Sequence, residues 1–289
     1  MAKQKILIQI DRDSHASSFD AIVAIDSGVD QLLPYSKVTV DDIQGLVHGA
    51  MFTRGPKDLH QTAIFFGGSE IQQVEELVAA AQSAFFGPMR VSLMSDPNGS
   101  NTTAAAAVLS AEKHIRLEGA SVAVLGGTGP VGARIARICA AGGAEVKVAS
   151  RKLDRAESVC ESIRKNVPDA SLVAIETSDA QSAVEKIAGC QAVFAAGAAG
   201  VELLSAEWQS LDPLPRVLVD VNAVPPSGMA GVEVMDNAKD RHGTIAYGAI
   251  GVGGLKMKIH RRCLQQLFES NDQVLDVSEI YQVGREIGS

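Results

Sequence analysis

The stretch Ser121–Gly132, with the sequence SVAVLGGTGPVG, decides the fold of this chain. The apolar run Ser121–Leu125 is typical of a buried strand, and Pro130 suits a first helical turn because it lacks an N–H. Between them lies the pattern G-x-G-x-x-G, which joins a strand to a helix in dinucleotide-binding domains. An ordinary glycine turn is the alternative, but the order of strand, motif and helix favours the nucleotide interpretation.

Each residue of this turn has an expected role. Gly127 is expected to allow the tight turn, Gly129 to let the backbone approach a pyrophosphate, and Gly132 to let the helix pack closely on the strand. The helix N-terminus offers N–H donors and the positive end of its dipole to a phosphate. The predicted cofactor-binding residues here are Gly127, Thr128, Gly129, Pro130, Val131 and Gly132.

The end of the next predicted strand, Glu145–Ser150, selects the dinucleotide. A site for NAD usually carries Asp or Glu about 20 residues after the glycines, to accept from the ribose 2′-OH. Here Ser150, Arg151 and Lys152 follow one another, and the guanidinium of Arg151 can fork onto a 2′-phosphate. The sequence therefore predicts NADP, with NAD as the weaker cofactor. In the alternative, Arg151 and Lys152 only begin a solvated helix face.

Predicted strands and helices alternate along most of the 289 residues. Buried, unalternating apolar strands joined by helices indicate parallel sheets with helices on both faces. We expect an α/β protein of two α/β domains with a cleft between them, the second domain being a Rossmann-type doubly wound parallel sheet. The predicted boundaries are 1–118 for a substrate domain, completed by C-terminal helices within 255–289, and 119–254 for the NADP-binding domain.

Composition excludes several classes of protein. Hydrophobic residues make up 46% and charged residues 21%, which is enough to bury a sizeable core. The net charge of −8 argues against a nucleic-acid partner. The four cysteines lie far apart without C-x-x-C spacing, so we expect reduced thiols rather than zinc ligands or disulfides. No apolar run reaches the ~18 residues of a membrane span, and the sequence predicts a cytoplasmic protein with no membrane partner.

Two basic segments interrupt this acidic chain. Residues 121–152 hold five basic residues and one acidic residue, and residues 253–263 hold four basic residues and no acidic one. An anionic cofactor and an anionic substrate tail are therefore compatible with the negative total charge.

Longer segments resemble a known family. They are GGTGPVG, SRKLD, TAIFFGG, FFGPMRVS, DPNGSNTTAAAA, DVNAVPPSGMAG and YGAIGVGGLKMKIHRRC. From about Asp11 to Tyr281 the chain is similar to bacterial methylene-tetrahydromethanopterin dehydrogenases of methylotrophs. The resemblance implies hydride transfer from a reduced pterin to NAD(P)⁺ in one-carbon (formaldehyde) oxidation, and a homo-oligomer that is a trimer or higher. Such a transfer requires no acid, base, nucleophile or metal, since the nicotinamide carries the chemistry.

The resemblance also implies site residues. Lys256 matches the lysine of the family's GGLK segment and is the first candidate to contact a pterin oxygen or an anionic tail. Ala196 and Gly197 end a strand that passes close to the nicotinamide ribose in the family. Asn222, at another strand end, either bonds the carboxamide or ribose or merely begins a turn. His260 is either a ligand contact or a satisfied helix histidine, the second being the commoner case.

Further pterin contacts are predicted in the first half, because open α/β sheets bind ligands where strands end. The candidates in the polar loop there are Asp96, Asn98, Ser100, Asn101 and Thr102. Alternatively, these residues only turn the chain and cap the alanine-rich helix that follows. Asp20, in an apolar helix, either accepts N–H bonds from the pterin or faces solvent. The glycines of Gly248–Gly254 either form a hinge between domains or allow tight packing.

Two other functions compete with this interpretation. A methylene-tetrahydrofolate dehydrogenase acts on the same reacting centre, although SSFDAIVAIDSG lacks the lysine of a bifunctional dehydrogenase–cyclohydrolase. A non-catalytic Rossmann nucleotide sensor is more remote, because its expected signature is a degraded phosphate loop or an added recognition module.

Overall fold

The computed structural model describes residues 3–288, which fold into two compact units. The first unit combines the chain up to Thr102 with the C-terminal part from Met257, and the second is Thr103–Lys256. Both divisions fall inside helices, whereas the sequence predicts them near residues 118 and 254. Which unit binds which ligand remains a prediction.

The helices and strands alternate through most of the chain. In chain order they are β1 Ile6–Asp11, α1 Ser18–Asp26, β2 Gln31–Tyr35, α2 Val40–Phe52, β3 Thr62–Gly67, α3 Ile71–Ser83, β4 Ser92–Ser95, α4 Ser100–Glu112, β5 Ser121–Leu125, α5 Pro130–Ala141, β6 Glu145–Ser150, α6 Leu153–Asn166, β7 Leu172–Glu176, α7 Ala180–Ile187, β8 Ala192–Ala195, β9 Val217–Asp220, β10 Lys239–Arg241, β11 Thr244–Tyr247, α8 Ala249–Gln266, β12 Val274–Leu275 and α9 Val277–Gly288.

The first unit contains a five-stranded parallel sheet in the order β12-β4-β3-β1-β2. Strand β3 lies at its centre and is buried along its whole length. Its side chains Ile64 and Phe66 pack with Ile43 and Val47 of α2 and Leu77 of α3 in one apolar core. The continuous apolar run Ala63–Phe66 is thus explained by burial on both faces.

The second unit contains a seven-stranded sheet in the order β10-β11-β9-β8-β5-β6-β7. Strands β5 to β9 and β11 pair in parallel, and β10 adds an antiparallel edge. From β5 the chain runs first to β6 and β7, and then returns to the other side of β5 with β8. The α/β class and the doubly wound sheet of the second unit are therefore confirmed, and the direction reverses between β5 and β8.

Two roles are predicted for the glycine-rich segment 248–254, a hinge between domains and tight packing, and the structure supports tight packing. Residues from Ala249 onward belong to α8 rather than to a loop. A side chain at Gly248 would meet the carbonyl oxygen of Glu233, and one at Gly251 that of Asp236. Tight packing thus explains these two glycines. Within residues 3–288, no helix is long and apolar enough to cross a membrane.

Candidate functional site

The loop Gly126–Gly129 joins β5 to α5 at the point where the strand order of the second unit reverses. Gly126 has φ +70°, and a Cβ there would lie 2.7 Å from the Cα and N of Gly197. A Cβ on Gly127 would lie 2.8 Å from Val148 Cγ1. The sequence predicts that Gly127 allows the tight turn, whereas the left-handed residue of the turn is Gly126. Gly127 has no room for a side chain because Val148 of β6 packs against it.

The start of α5 follows the predicted pattern. Gly129 is the N-cap and Pro130 the first helical residue. A Cβ on Gly132 would collide with the carbonyl oxygen of Gly126, so the predicted close packing of helix on strand is confirmed. The loop is thus lined by backbone, with the N-terminus of α5 directed at it. This glycine cradle, which a Cβ at these positions would fill, fits a dinucleotide phosphate.

The end of β6 lies beside this loop, because Gly127 N donates to Ala149 O at 2.9 Å. Ser150 is buried and its Oγ accepts from Lys152 N at 3.3 Å, while the side chains of Arg151 and Lys152 are exposed. Helix α6 begins only at Leu153. Arg151 therefore directly follows the last residue of β6 and precedes the first residue of the helix.

The ends of β8 and β9 carry the other predicted nucleotide contacts. Ala196 is buried, and its carbonyl oxygen lies 3.3 Å from where a Cβ on Gly129 would stand. Asn222 Oδ1 accepts from Val224 N at 3.0 Å, and its Nδ2 donates to Pro226 O at 3.2 Å. These bonds give Asn222 the turn-forming role of the alternative interpretation, with any nucleotide contact still a prediction.

Asp220, at the last position of β9, is a buried carboxylate that the sequence interpretation missed. Burial raises its pKa, and N–H bonds from Asn222, Met229 and Gly228 oppose that rise. Its position in the sequence could have identified it, because it is an acidic residue at the end of the apolar strand VLVD.

In the first unit, Asp96 is fully buried at the end of β4. Its Oδ1 accepts from Asn101 N at 2.8 Å and from Thr102 N at 3.1 Å, and its Oδ2 accepts from Thr102 Oγ1 at 2.6 Å. Ser100 Oγ donates to Pro97 O, and Asn101 Nδ2 donates to Ser95 O. These contacts agree with the alternative in which the loop caps α4.

Asn98 is the one member of that predicted set whose side chain is exposed. It adopts φ +51°, the left-handed region that Asn tolerates better than most residues. Its exposure at the end of β4 leaves its amide accessible, whereas the other four side chains are buried.

Asp20, His260 and Asp96 come together in the first unit. The alternative that Asp20 faces solvent is wrong, since it is 8% exposed and follows the N-cap Ser17 by three residues. His260, on α8, is fully buried, with Nε2 3.9 Å from Asp20 Oδ1 and Nδ1 3.8 Å from Asp96 Oδ2. Its ring stacks on Phe65 with centroids 5.8 Å apart. The fold thus places one imidazole within 4 Å of two buried carboxylates.

Lys256 and Lys258 also lie on α8. Lys256 is half-buried and precedes His260 by four residues, which is one helical turn. Lys258 is exposed. All four cysteines are buried, and burial raises the pKa of the Cys139 and Cys263 thiols. Within the part of the chain described, there is no group of three or more His, Cys, Asp or Glu side chains that could hold a metal ion.

Comparison with known proteins covers nearly the whole chain. It is 43% identical to the bifunctional protein MdtA of Methylorubrum extorquens, across 98% of this chain and 99% of that protein. It is 31% identical to the NAD(P)-dependent methylenetetrahydromethanopterin dehydrogenase of the same organism, across 94% of this chain and 95% of that one. The chain belongs to the methylene-tetrahydromethanopterin dehydrogenase family.

The matches to family descriptions divide along the chain. Residues 18–98 match the N-terminal domain of methylene-tetrahydromethanopterin dehydrogenase, and this range includes Asp20 and Asp96. Residues 121–223 match the coenzyme F420-dependent NADP oxidoreductases, and this range includes the glycine loop and Arg151. A solved 5-ketofructose reductase of Gluconobacter, 14% identical, superposes with a TM-score of 0.56 over 99% of both chains and shows the shared fold.

Proposed function

We propose that this member of the methylene-tetrahydromethanopterin dehydrogenase family transfers hydride from methylene-tetrahydromethanopterin to NADP⁺ and releases the methenyl form. The similarity to a dehydrogenase of that name over 94% of the chain carries the proposal. The glycine cradle at the strand-order reversal supports it, because a backbone-lined helix N-terminus suits a dinucleotide phosphate.

The reaction requires no proton transfer by a side chain of the protein. The C–H bond of the methylene carbon breaks, both electrons leave with the hydride, and the positive charge spreads over the two flanking nitrogens without loss of a proton. When bound, NADP⁺ supplies the hydride acceptor. The protein's contribution is orientation and electrostatic stabilisation of that cation, for which the buried carboxylate of Asp20 has the appropriate sign.

We assign the two units different ligands. The first unit, with Asp20 and the loop around Asn98, binds the pterin in this proposal. The second unit, with the glycine cradle and Arg151, binds NADP. A cytoplasmic location and a homo-oligomer of three or more chains remain proposals drawn from the sequence.

The deciding experiment follows NADPH absorbance with the purified chain, using methylene-tetrahydromethanopterin and methylene-tetrahydrofolate in turn, each with NADP⁺ and with NAD⁺. We expect turnover with the methanopterin substrate and NADP⁺. Turnover with the folate substrate alone would favour the methylene-tetrahydrofolate alternative, and turnover with neither would contradict the proposed function.

Arg151→Asp should change the choice of cofactor. An exposed guanidinium at the end of β6 is replaced by a carboxylate, which repels a 2′-phosphate and accepts from a 2′-OH. Losing charge-assisted bonds worth about 2 kcal/mol predicts an increase of about 30-fold in the KM for NADP⁺, with NAD⁺ use retained. Steady-state kinetics with both cofactors measures this change.

The matched control is Lys165→Asp, which makes the same change of charge on the exposed face of α6. Twelve residues of helix beyond Leu153 place it about 18 Å from the strand tip, so it should leave both KM values unchanged. An equal loss with both cofactors in Arg151→Asp would contradict the assignment.

Asp20→Asn should weaken the reaction with the pterin and leave nucleotide binding alone. The substitution keeps the size of a buried side chain and removes the charge that favours the cationic product. We expect kcat/KM for the pterin to fall about 30-fold, corresponding to about 2 kcal/mol for one buried charged partner. NADP⁺ affinity, measured by calorimetry, should stay within twofold.

Asp26→Asn is the control for this prediction. Asp26 is exposed on the same helix, α1, so its neutralisation should leave both quantities unchanged. If the Asp20→Asn enzyme kept the native kcat/KM for the pterin, Asp20 would not be part of the pterin site.

A further inference from the structure

The loop that follows β9 is fastened by the carboxylate of Asp220. Oδ1 accepts from Asn222 N at 2.9 Å, and Oδ2 accepts from Met229 N at 3.0 Å, so the two oxygens hold both ends of the loop. A Cβ on Gly228 would lie 2.9 Å from Oδ1 and 3.0 Å from Ala195 Cβ. The carboxylate is 1% exposed, and charge-assisted bonds at such a site are strong.

This fastening extends to the loop after β8. Gly228 O accepts from Leu203 N at 2.7 Å and from Leu204 N at 3.1 Å. The side chain of Leu203 in turn limits Gly197, where a Cβ would lie 2.7 Å from Leu203 Cδ1. Gly197 packs against Gly126 of the glycine cradle. A continuous series of contacts therefore runs from Asp220 through the loops after β9 and β8 to the strand-order reversal.

The position of these loops divides a dinucleotide site into two parts. Arg151 stands at the end of β6, on one side of β5, and Asp220 stands at the end of β9, on the other side. A dinucleotide bound across the reversal places its two nucleotide halves on opposite sides of it. With the 2′-phosphate half assigned to the side of Arg151, the nicotinamide half falls to the side of Asp220.

We propose that Asp220 is a positioning residue for the nicotinamide half of the cofactor, fixing the loops after β8 and β9 on which that half rests. The inference rests on the proposed function and deepens it, since it requires that NADP binds across the reversal. Asp220 itself is enclosed by backbone N–H groups, so its effect passes through the loops it holds.

The test is the variant Asp220→Asn, which keeps the shape of the side chain. Each oxygen of Asp220 faces a backbone N–H, so in either orientation the amide NH₂ opposes one donor and loosens the loop. Calorimetry compares two probes, NADP⁺ and adenosine 2′,5′-bisphosphate, the second of which lacks the nicotinamide half. We expect NADP⁺ affinity to fall about 10-fold and kcat about 10- to 100-fold, the scale of a misplaced reacting group, with the bisphosphate affinity unchanged within twofold.

Two variants serve as references. Asp236→Asn removes another buried carboxylate of the second unit, one that pairs with Arg241, and should leave both affinities unchanged. Arg151→Asp should weaken both probes, because both carry the 2′-phosphate. If Asp220→Asn is not obtained folded, Gly228→Ala disturbs the same fastening, since its Cβ would lie 2.9 Å from Asp220 Oδ1, and it carries the same expectation.

The outcomes separate this inference from the proposed function. Equal weakening of both probes in Asp220→Asn would make Asp220 a general structural residue and overturn the inference, as would unchanged NADP⁺ affinity and kcat. Failure of the native chain to bind NADP⁺ would instead overturn the proposed function and the inference with it. Selective loss of NADP⁺ affinity supports both.

Discussion

Replacing Gly126 by Ala is expected to weaken NADP⁺ binding severely while the chain still folds. The methyl group would lie 2.7 Å from the backbone of Gly197 and 2.9 Å from the carbonyl carbon of Ala196, and neither neighbour is a flexible side chain that can move aside. The φ of +70° adds about 1–2 kcal/mol of strain for an L-residue. Because the loops at the ends of β5 and β8 must separate, we expect a loss of about 100-fold in affinity, measured by calorimetry.

Gly189→Ala is the matched control for this substitution. Gly189 lies in the same unit with φ +77°, but an added Cβ there meets nothing within 4 Å. It should therefore cost about the same backbone strain and retain native NADP⁺ affinity. If both variants bound NADP⁺ equally well, close approach of the two loops would not matter for the nucleotide.

Local sequence signals predicted the second unit well. The strand, glycine turn and helix of 121–141 lie within about 20 consecutive residues, so their pattern carries most of the information needed for the Rossmann sheet. The error at Gly126 has a physical cause. The motif constrains spacing, whereas the positive φ depends on how closely Gly197, more than 70 residues later, approaches the turn.

The first unit was harder to predict. Strand β2 is an exposed edge strand that contains Pro34, so neither an apolar run nor alternation marks it. Strand β12 has two residues and pairs with β4, some 180 residues earlier. Neither element has a local signature, because each is stabilised by pairing with a strand formed elsewhere.

The buried cluster of the first unit illustrates the same limit for a site. Asp20, Asp96 and His260 are individually visible in the sequence, yet they lie on α1, after β4 and on α8. Only the tertiary structure brings the imidazole within 4 Å of both carboxylates. Sequence reasoning named all three residues as candidates, but it did not show that the histidine stands between the two carboxylates.

Asp96→Ala should be the most destabilising of the substitutions considered. It leaves the N–H groups of Asn101 and Thr102 and the Thr102 hydroxyl without their buried acceptor at the start of α4. Each unsatisfied buried donor costs about 1–3 kcal/mol, so we expect a loss of about 3–5 kcal/mol in the free energy of unfolding by urea. Hydrogen exchange should accelerate at the Asn101 and Thr102 amides in particular.

Two comparisons test the reason for that loss. Asp179→Ala removes an exposed capping carboxylate at α7, which water can replace, so it should destabilise much less. Asp96→Asn should also be milder than Asp96→Ala. Oδ1 carries both backbone bonds, and the amide NH₂ at the other position can donate to Thr102 Oγ1, since a hydroxyl accepts as well as donates. If Asn were as damaging as Ala, the charge of Asp96, rather than its capping geometry, would be what the first unit requires.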